Sequence, residues 1–197
     1  MGRLVETGFP INDSVAWNPV YRRFARQAVS QYGLPPFHWK LEVQTGNAVV
    51  STFHDVLWRP RLIMTEDLSN PLSKSYVVKR YDDAGREIFS SYPVSAAPSV
   101  DASLHGVHTH YDALGRETTV RQDSELGSLV ATREYLPGFR TRSTNPRGFS
   151  TVTSFQTFDS PSEELPVRIE APEGVTTVIE RDIVGKPLTI QRTGPAN

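Results

Sequence analysis

The segment Tyr81-Asp82-Asp83-Ala84-Gly85-Arg86-Glu87 returns almost unchanged as Tyr111-Asp112-Ala113-Leu114-Gly115-Arg116-Glu117. In both copies the aromatic residue suits the end of a strand, and the Asp side chain suits hydrogen bonding to backbone N–H groups two residues further on. The glycine supplies the positive φ angle that a short hairpin turn requires, and the arginine begins the return strand. Each copy of this turn motif therefore predicts a tight β-hairpin.

Weaker copies of the turn motif precede and follow these two. They occupy residues 54–60, 134–140, 155–161 and 181–187, so that the motif recurs every 21 to 30 residues. Two strands of about six residues and two turns need roughly 20 residues, which predicts one two-stranded unit per copy. The motif positions kept in the weaker copies are Tyr135, Gly138, Asp182, Gly185 and Lys186.

Three positions depart from the motif. Trp58 and Asp159 stand where glycine is expected, and Arg181 replaces the aromatic residue. A second type of turn is expected at Asn145-Pro146-Arg147-Gly148 and at Ala171-Pro172-Glu173-Gly174, because proline and glycine hold turn-favoured positions there. These turns should close the sheet on the edge opposite the turn motifs.

Runs rich in β-branched and aromatic residues lie between the turns and predict strands. Clear examples are residues 76–81, 150–155 and 175–179. Residues 19–32 predict instead one short amphipathic helix, because Asn18 suits an N-cap, Pro19 suits the first helical position, and apolar residues follow at i, i+3, i+4 spacing.

The predicted fold is mainly β, with repeated antiparallel hairpins forming a sheet or part of a β-shell. We expect an N-terminal segment over residues 1–50, a repeat region over 51–193 and a short tail over 194–197. Apolar residues make up only 38% of the sequence, which predicts a thin core.

Composition argues against several classes of partner and site. The net charge of −1 gives no broad positive field to attract nucleic acid or anionic membranes. The absence of cysteine excludes disulfides, thiolate metal sites and a cysteine nucleophile. No export signal and no membrane-spanning stretch is readable, so neither membrane insertion nor a classical secretion route is expected from this chain.

The two strong Tyr-Asp-x-x-Gly-Arg segments and their spacing resemble the YD repeats of the Rhs family. That family is related to the encapsulating subunit of Tc toxins and to teneurins, and the resemblance covers about residues 52–192. It implies a β-shell that encloses or delivers a C-terminal toxin polypeptide between cells. It also implies further repeat segments or toxin cargo as partners, self-association through strand edges, and a secreted or cell-surface location in a bacterium, or a cytoplasmic one for a remnant.

An alternative function is a cell-surface adhesin that binds carbohydrate or protein. Aromatic rings beside guanidinium groups can hold sugars, which makes Tyr81, Arg86, Tyr111 and Arg116 candidates for ligand binding. The competing interpretation is that these periodic aromatic residues pack across strands and hold the register.

A metal-dependent enzyme is a third alternative. His108, His110 and Asp112 would share one side of a strand, with His105 close in sequence, and imidazoles at that spacing can bind zinc or nickel. Exposed strand histidines explain the same pattern. No catalytic motif, nucleotide-binding motif or cofactor signature accompanies them, so we expect no catalytic residues, no cofactor and no enzymatic activity.

Overall fold

The computed structural model of the protein describes residues 3–9, 17–158 and 160–195. In these residues the chain is mainly β, as predicted, and strands that follow one another in sequence pair antiparallel in one 15-stranded sheet. The only helix in them is a single 3-10 turn at Pro172–Gly174, and none has the length and apolar character to cross a membrane.

The chain divides into two compact units, Met1–His108 and Thr109–Asn197, called here the N-terminal and C-terminal units. The division falls within strand β8, Gly106–Tyr111. The N-terminal unit also holds β1 Glu6–Thr7, β2 Val20–Arg26, β3 Trp39–Thr45, β4 Ala48–His54, β5 Pro60–Asp67, β6 Asn70–Tyr81 and β7 Glu87–Ser91. The C-terminal unit holds β9 Glu117–Ser124, β10 Gly127–Leu136, β11 Arg140–Thr144, β12 Ser150–Phe155, β13 Pro166–Glu170, β14 Thr176–Arg181 and β15 Pro187–Thr193.

The predicted helix over residues 19–32 is wrong. Val20–Arg26 forms β2, which pairs with β3 along its whole length, from Val20 opposite Thr45 to Arg26 opposite Trp39. Pairing along the whole of β3 satisfies the backbone groups on that side, and this long-range gain outweighs a weak helical spacing. Asn18 and Pro19 precede the strand without forming a helix start.

One face of the sheet carries a core in the N-terminal unit. Its buried residues are Leu34, Phe53, Leu62, Met64, Tyr76, Val78 and Val100. Five of these come from β4, β5 and β6, while Leu34 and Val100 belong to the connections that cover the face. Arg80 of β6 fixes the connection that contains Val100, because its guanidinium donates to the Val100 carbonyl oxygen at 3.2 Å.

The described residues of the C-terminal unit include no buried hydrophobic side chain. Strand pairing gives its sheet two different faces. The charged face carries three ion pairs of 2.8 Å, Arg121–Asp123, Arg142–Glu134 and Arg168–Glu170. The apolar face carries Val120, Leu129, Ala131, Tyr135, Phe155, Ile169, Ile179 and Ile190, with Thr141, Thr153 and Thr177 between them.

Turns alternate between the two ends of the strands in the C-terminal unit because its consecutive strands run in opposite directions. The connections after β9, β11 and β13 lie at one end of the sheet, and those after β8, β10, β12 and β14 lie at the other. The turns at Asn145 and Ala171 therefore lie opposite those at Asp112 and Asp182, as predicted.

Candidate functional site

The turn between β6 and β7 shows how the turn motif folds. The Asp82 N–H donates to the Arg86 carbonyl oxygen, and the Gly85 N–H donates to the Asp82 carbonyl oxygen, both at 3.0 Å. The Asp82 carboxylate accepts from the Arg86 backbone N–H at 2.9 Å and from the Arg86 Nε at 2.7 Å. Gly85 has a φ of 81°, the left-handed conformation that glycine adopts without strain. One carboxylate thus ties both ends of the turn.

Four further turns repeat this geometry, at Asp55–Arg59, Asp112–Arg116, Asn145–Phe149 and Asp182–Lys186. In each, the N–H of the first residue donates to the carbonyl of the fifth, at 2.9 to 3.0 Å. The side-chain oxygen of the first residue accepts from the N–H groups of the third and fifth residues. The expectation that Asn145 begins a second type of turn is therefore wrong.

The signal for the Asn145 turn was present in the sequence. Four of the five turns have an Asp or Asn three residues before a glycine, and Asn145 and Gly148 have that spacing. The Asn145 turn lacks the aromatic residue followed by Asp that marks the strong copies, because Thr144 stands at the aromatic position. The amide oxygen of Asn145 replaces the carboxylate, and no charge is needed to close the turn.

Hydrogen bonds lower the pKa of three turn carboxylates, Asp55, Asp82 and Asp112. The Arg86 backbone N–H lowers the pKa of Asp82, and the Arg116 backbone N–H lowers the pKa of Asp112 in the same way. Burial acts to raise the pKa of Asp55, but hydrogen bonds from Arg59 and Leu57 outweigh it, and this pKa is also lowered.

Two of the weaker motif copies do not form this turn. Tyr135 lies in β10, and Gly138 is the middle residue of the three-residue connection to β11, in which Gly138 and Phe139 both have positive φ angles, of 77° and 54°. The copy at residues 155–161 lies where β12 ends and a longer connection to β13 begins. Its Asp159 lies outside the described residues.

The motif tyrosines bridge neighbouring hairpins. The Tyr81 hydroxyl donates to the Pro60 carbonyl at 2.9 Å, and the Arg59 guanidinium lies 5.2 Å from the Tyr81 ring centre. Because Pro60 and Arg59 belong to the preceding motif, this contact couples one hairpin to the next.

The same contact recurs in the C-terminal unit. The Tyr135 hydroxyl donates to the Glu117 carbonyl at 3.1 Å, and the Arg116 guanidinium lies 3.9 Å from the Tyr135 ring centre. At the departure from the motif, Arg181 donates through Nε to the Pro166 carbonyl at 3.1 Å. Pro166 is the first residue of β13, as Glu117 is the first residue of β9. The Arg181 guanidinium therefore makes the hydrogen bond that a tyrosine hydroxyl makes in the other hairpins. These contacts support the packing interpretation of the motif aromatic residues.

A cavity of about 420 Å³ opens on the apolar face of the C-terminal unit. Its walls include Arg116, Tyr135, Phe139, Arg140, Phe155 and Glu163. Phe139 is 52% exposed and has a φ of 54°, which is strained for a bulky side chain. Glu163 pairs with Arg133 at 2.9 Å. Aromatic rings, guanidinium groups and a carboxylate therefore converge in one concave site.

Of the four predicted ligand-binding residues, Arg116 lines this cavity. Tyr135, predicted only as a motif residue, supplies the aromatic partner of Arg116 there. Tyr81 and Arg86 belong to the N-terminal unit. Phe139 and Glu163 were not predicted as ligand-binding residues, because Phe139 stands where the strong motif copies have arginine and Glu163 lies outside the motif copies.

The histidine cluster does not assemble a metal site in the part of the chain that the structure describes. Asp112 uses both carboxylate oxygens within its own turn: Oδ1 accepts from the Leu114 and Arg116 N–H groups, and Oδ2 accepts from Arg116 Nε. His108 packs its ring 4.7 Å from the Phe89 ring. His110 lies in β8 two residues after His108, and His105 lies before β8.

Comparison with known proteins adds no relative to these observations: no model of a protein family and no curated protein matches the sequence. The similarity to YD repeats stays a prediction carried by the turn motif.

Proposed function

We propose that this chain is a structural module of the YD-repeat type, part of a β-wall that encloses or delivers a toxin polypeptide and has no enzymatic activity. In this proposal the wall acts outside a bacterial cell, and further repeat segments extend it. The observation that carries the proposal is the five-fold recurrence of one turn, whose hydrogen bonds are the same at Asp55, Asp82, Asp112, Asn145 and Asp182.

The apolar face of the C-terminal unit supports contact with a polypeptide. Leu129 and Ile190 are exposed there, by 44% and 65%. Aliphatic and threonine side chains spaced along a sheet suit weak, sequence-tolerant contact with an unfolded chain, since they demand no particular hydrogen-bonding partner.

The last strand supports extension of the wall. All seven residues of β15 are exposed, and among the described residues it pairs only with β14. Exposed strand edges present unpaired N–H and C=O groups that a further strand can pair with.

The experiment compares the two faces of the C-terminal unit in the full chain. Leu129→Ser with Ile190→Ser removes apolar groups from the apolar face. Val130→Ser with Val178→Ser is the matched control, because Val130 and Val178 are similarly apolar and exposed on the charged face. The probe is reduced, carboxymethylated α-lactalbumin, a permanently unfolded polypeptide, and its binding is followed by fluorescence anisotropy.

We expect the unchanged chain to bind the unfolded probe. The apolar-face variant should bind it several-fold more weakly, and the control variant should bind it like the unchanged chain. Absence of binding, or equal losses in both variants, would contradict contact through this face.

The cavity favours a second candidate function, the binding of a carbohydrate ligand. Tyr135, Phe139 and Phe155 can stack on the apolar side of a sugar ring, while Arg140 can donate to its hydroxyl or acidic groups. The variant Phe139→Gly tests this, because glycine accepts the positive φ angle and leaves the turn intact. A glycan that binds the unchanged chain on an array should lose affinity for this variant, and an unchanged affinity would exclude the cavity.

A further inference from the structure

The chain's own N-terminal segment lies on the outer edge of β2. Glu6 pairs with Tyr21 and Thr7 with Val20, and the Arg22 N–H donates to the Val5 carbonyl at 2.7 Å. We call residues 3–9 the strap. The Arg22 guanidinium also donates to Thr7 Oγ1 at 2.9 Å. Only two strap residues form a strand, and Leu4 and Val5 are largely exposed, so the strap is held more weakly than a full strand would be.

Continuing the register of this pairing brings Arg3 opposite Phe24. Its guanidinium carbon lies 3.8 Å from the Phe24 ring centre and 5.5 Å from that of Trp58. A guanidinium over an aromatic face is attracted by the ring quadrupole. The strap is therefore anchored by one cationic side chain at a fixed position of the register.

Three aromatic rings form the surface that receives Arg3. Phe24 lies 4.7 Å from Trp39 and 5.2 Å from Trp58, and Trp39 lies 5.3 Å from Trp58, with planes inclined by only 11° to 19°. We call these three residues the aromatic cluster. Its side chains come from β2, β3 and the Asp55 turn.

Trp58 takes part in the aromatic cluster from a strained backbone. Its φ is 64°, whereas the equivalent positions of the four sister turns hold glycine. A bulky residue at positive φ costs about 1 to 3 kcal/mol, and such strain is commonly found where a protein contacts a ligand. The indole is 48% exposed although it stacks on two rings.

The outer edge of β2 extends beyond the strap. Strand pairing with the strap ends at Tyr21, while β2 continues to Arg26. In the described residues no other strand pairs with this edge. A longer extended segment could pair with all of β2 and still place one side chain opposite Phe24.

We propose that the β2 edge and the aromatic cluster form a docking site for an extended polypeptide segment that carries an arginine, and that the strap is its displaceable internal occupant. Backbone pairing with β2 would supply affinity without sequence preference. The aromatic cluster would select arginine at the position opposite Phe24.

The test uses the full chain and the peptide acetyl-Arg-Leu-Val-Glu-Thr-Gly-Phe-amide, which copies the strap. A second peptide has glutamine in place of arginine. Arg3→Gln weakens the internal occupant, and Arg147→Gln is the matched control, since it removes an equal charge at an arginine that belongs to the C-terminal unit and not to the strap. Binding is measured by anisotropy of labelled peptide, with tryptophan fluorescence as the second readout.

We expect the Arg3→Gln chain to bind the arginine peptide about three- to thirty-fold more tightly than the glutamine peptide. The unchanged and Arg147→Gln chains should both bind the arginine peptide more weakly, because the strap competes. Adding Phe24→Leu to Arg3→Gln should abolish the preference for arginine while weak binding of both peptides remains.

Equal affinity of the Arg3→Gln chain for the two peptides, or no binding of either at millimolar concentration, would overturn the proposal. Circular dichroism verifies the fold of each variant. If Arg3→Gln loses the fold, hydrogen exchange of the unchanged chain decides: protection of the β2 amides by excess arginine peptide supports the site, and unchanged exchange refutes it.

Discussion

The N-terminal and C-terminal units contain the same turn but are stabilised by different interactions. In the N-terminal unit, two connections cover one face of the sheet and bury a core around Leu62 and Val78. Among the described residues of the C-terminal unit, Thr141 is the one buried side chain, and its sheet carries three ion pairs on one face and most of its aliphatic groups on the other.

This difference separates two contributions to stability that most β-proteins combine, namely strand pairing held by turns and the burial of a core. A turn closed by an Asp or Asn side chain and a ladder of backbone hydrogen bonds can hold neighbouring strands in register without a buried core. The core adds stability where connections are long enough to fold over the sheet. We expect the C-terminal unit to depend on its turns and neighbouring strands, and the N-terminal unit on burial.

The largest expected difference comes from truncating one leucine in each unit. Leu62→Ala removes a fully buried side chain and should lower the free energy of unfolding by about 2 to 5 kcal/mol. Leu129→Ala removes an exposed side chain from the C-terminal unit and should change it by less than about 0.5 kcal/mol. Urea unfolding followed by circular dichroism measures both, and similar losses would show that the two units do not differ in this way.

A smaller effect is expected from the turn side chains. Asp55→Ala removes a buried carboxylate and leaves the N–H groups of Leu57 and Arg59 without their acceptor, which should cost about 1 to 3 kcal/mol. Asp55→Asn should cost less, because Asn145 closes the same turn with an amide oxygen. Asn145→Ala should cost about 0.5 to 1.5 kcal/mol, since water can replace the lost bonds at an exposed turn.

Urea midpoints of these three variants show which interaction of the turn side chain contributes most to stability. If Asp55→Asn lowers stability as much as Asp55→Ala, the ion pair with Arg59 contributes more than the hydrogen bonds to the backbone N–H groups.

The sequence predicts the turns better than the packing around them. Asp82 and Asp112 predict their turns because every group that forms the turn lies within five residues. Nothing local indicates that Leu34 and Val100 cover the sheet, since both lie in irregular connections without a periodic pattern. The mistaken helix has the same cause: residues 20–26 become a strand through pairing with β3, which is invisible in local spacing. The cavity combines residues of three connections and was predictable only at Arg116 and Tyr135.

A pH dependence should distinguish the units further, with a smaller effect than either set of substitutions. Burial lowers the pKa of His54, so the folded N-terminal unit resists its protonation. Stability from the neutral imidazole is complete above the usual histidine pKa and is lost as pH falls through that value toward the lowered folded pKa. The carboxylates of Asp55, Asp82 and Asp112 act at lower pH: their stabilisation is present above the usual Asp pKa and is lost as pH falls through the lowered folded pKa.

Hydrogen exchange at pH 7 and pH 5.5, corrected for intrinsic rates, measures this difference. Amides of β4 should lose protection at the lower pH, and amides of β9 and β10 should not. His54→Gln should remove the loss in β4. A loss of equal size in both units would assign the effect to another group.

The smallest expected effect is that of Trp58→Gly, at the fourth residue of the turn, where the other four turns have glycine. Trp58→Gly relieves about 1 to 3 kcal/mol of backbone strain but gives up the stacked contacts with Phe24 and Trp39, worth about 0.5 to 1.5 kcal/mol each, so the two changes should cancel to within about 1 kcal/mol. Gly148→Ala introduces strain without any compensating contact, because no atom lies within 4 Å of the added methyl group, and should cost about 1 to 2 kcal/mol. Urea unfolding of both variants provides the comparison. A loss well above 1 kcal/mol in Trp58→Gly would mean that the aromatic cluster stabilises the fold itself. A near-zero change would mean that the strained, exposed indole adds no stability, which is the result expected if its role is to contact the extended segment proposed above.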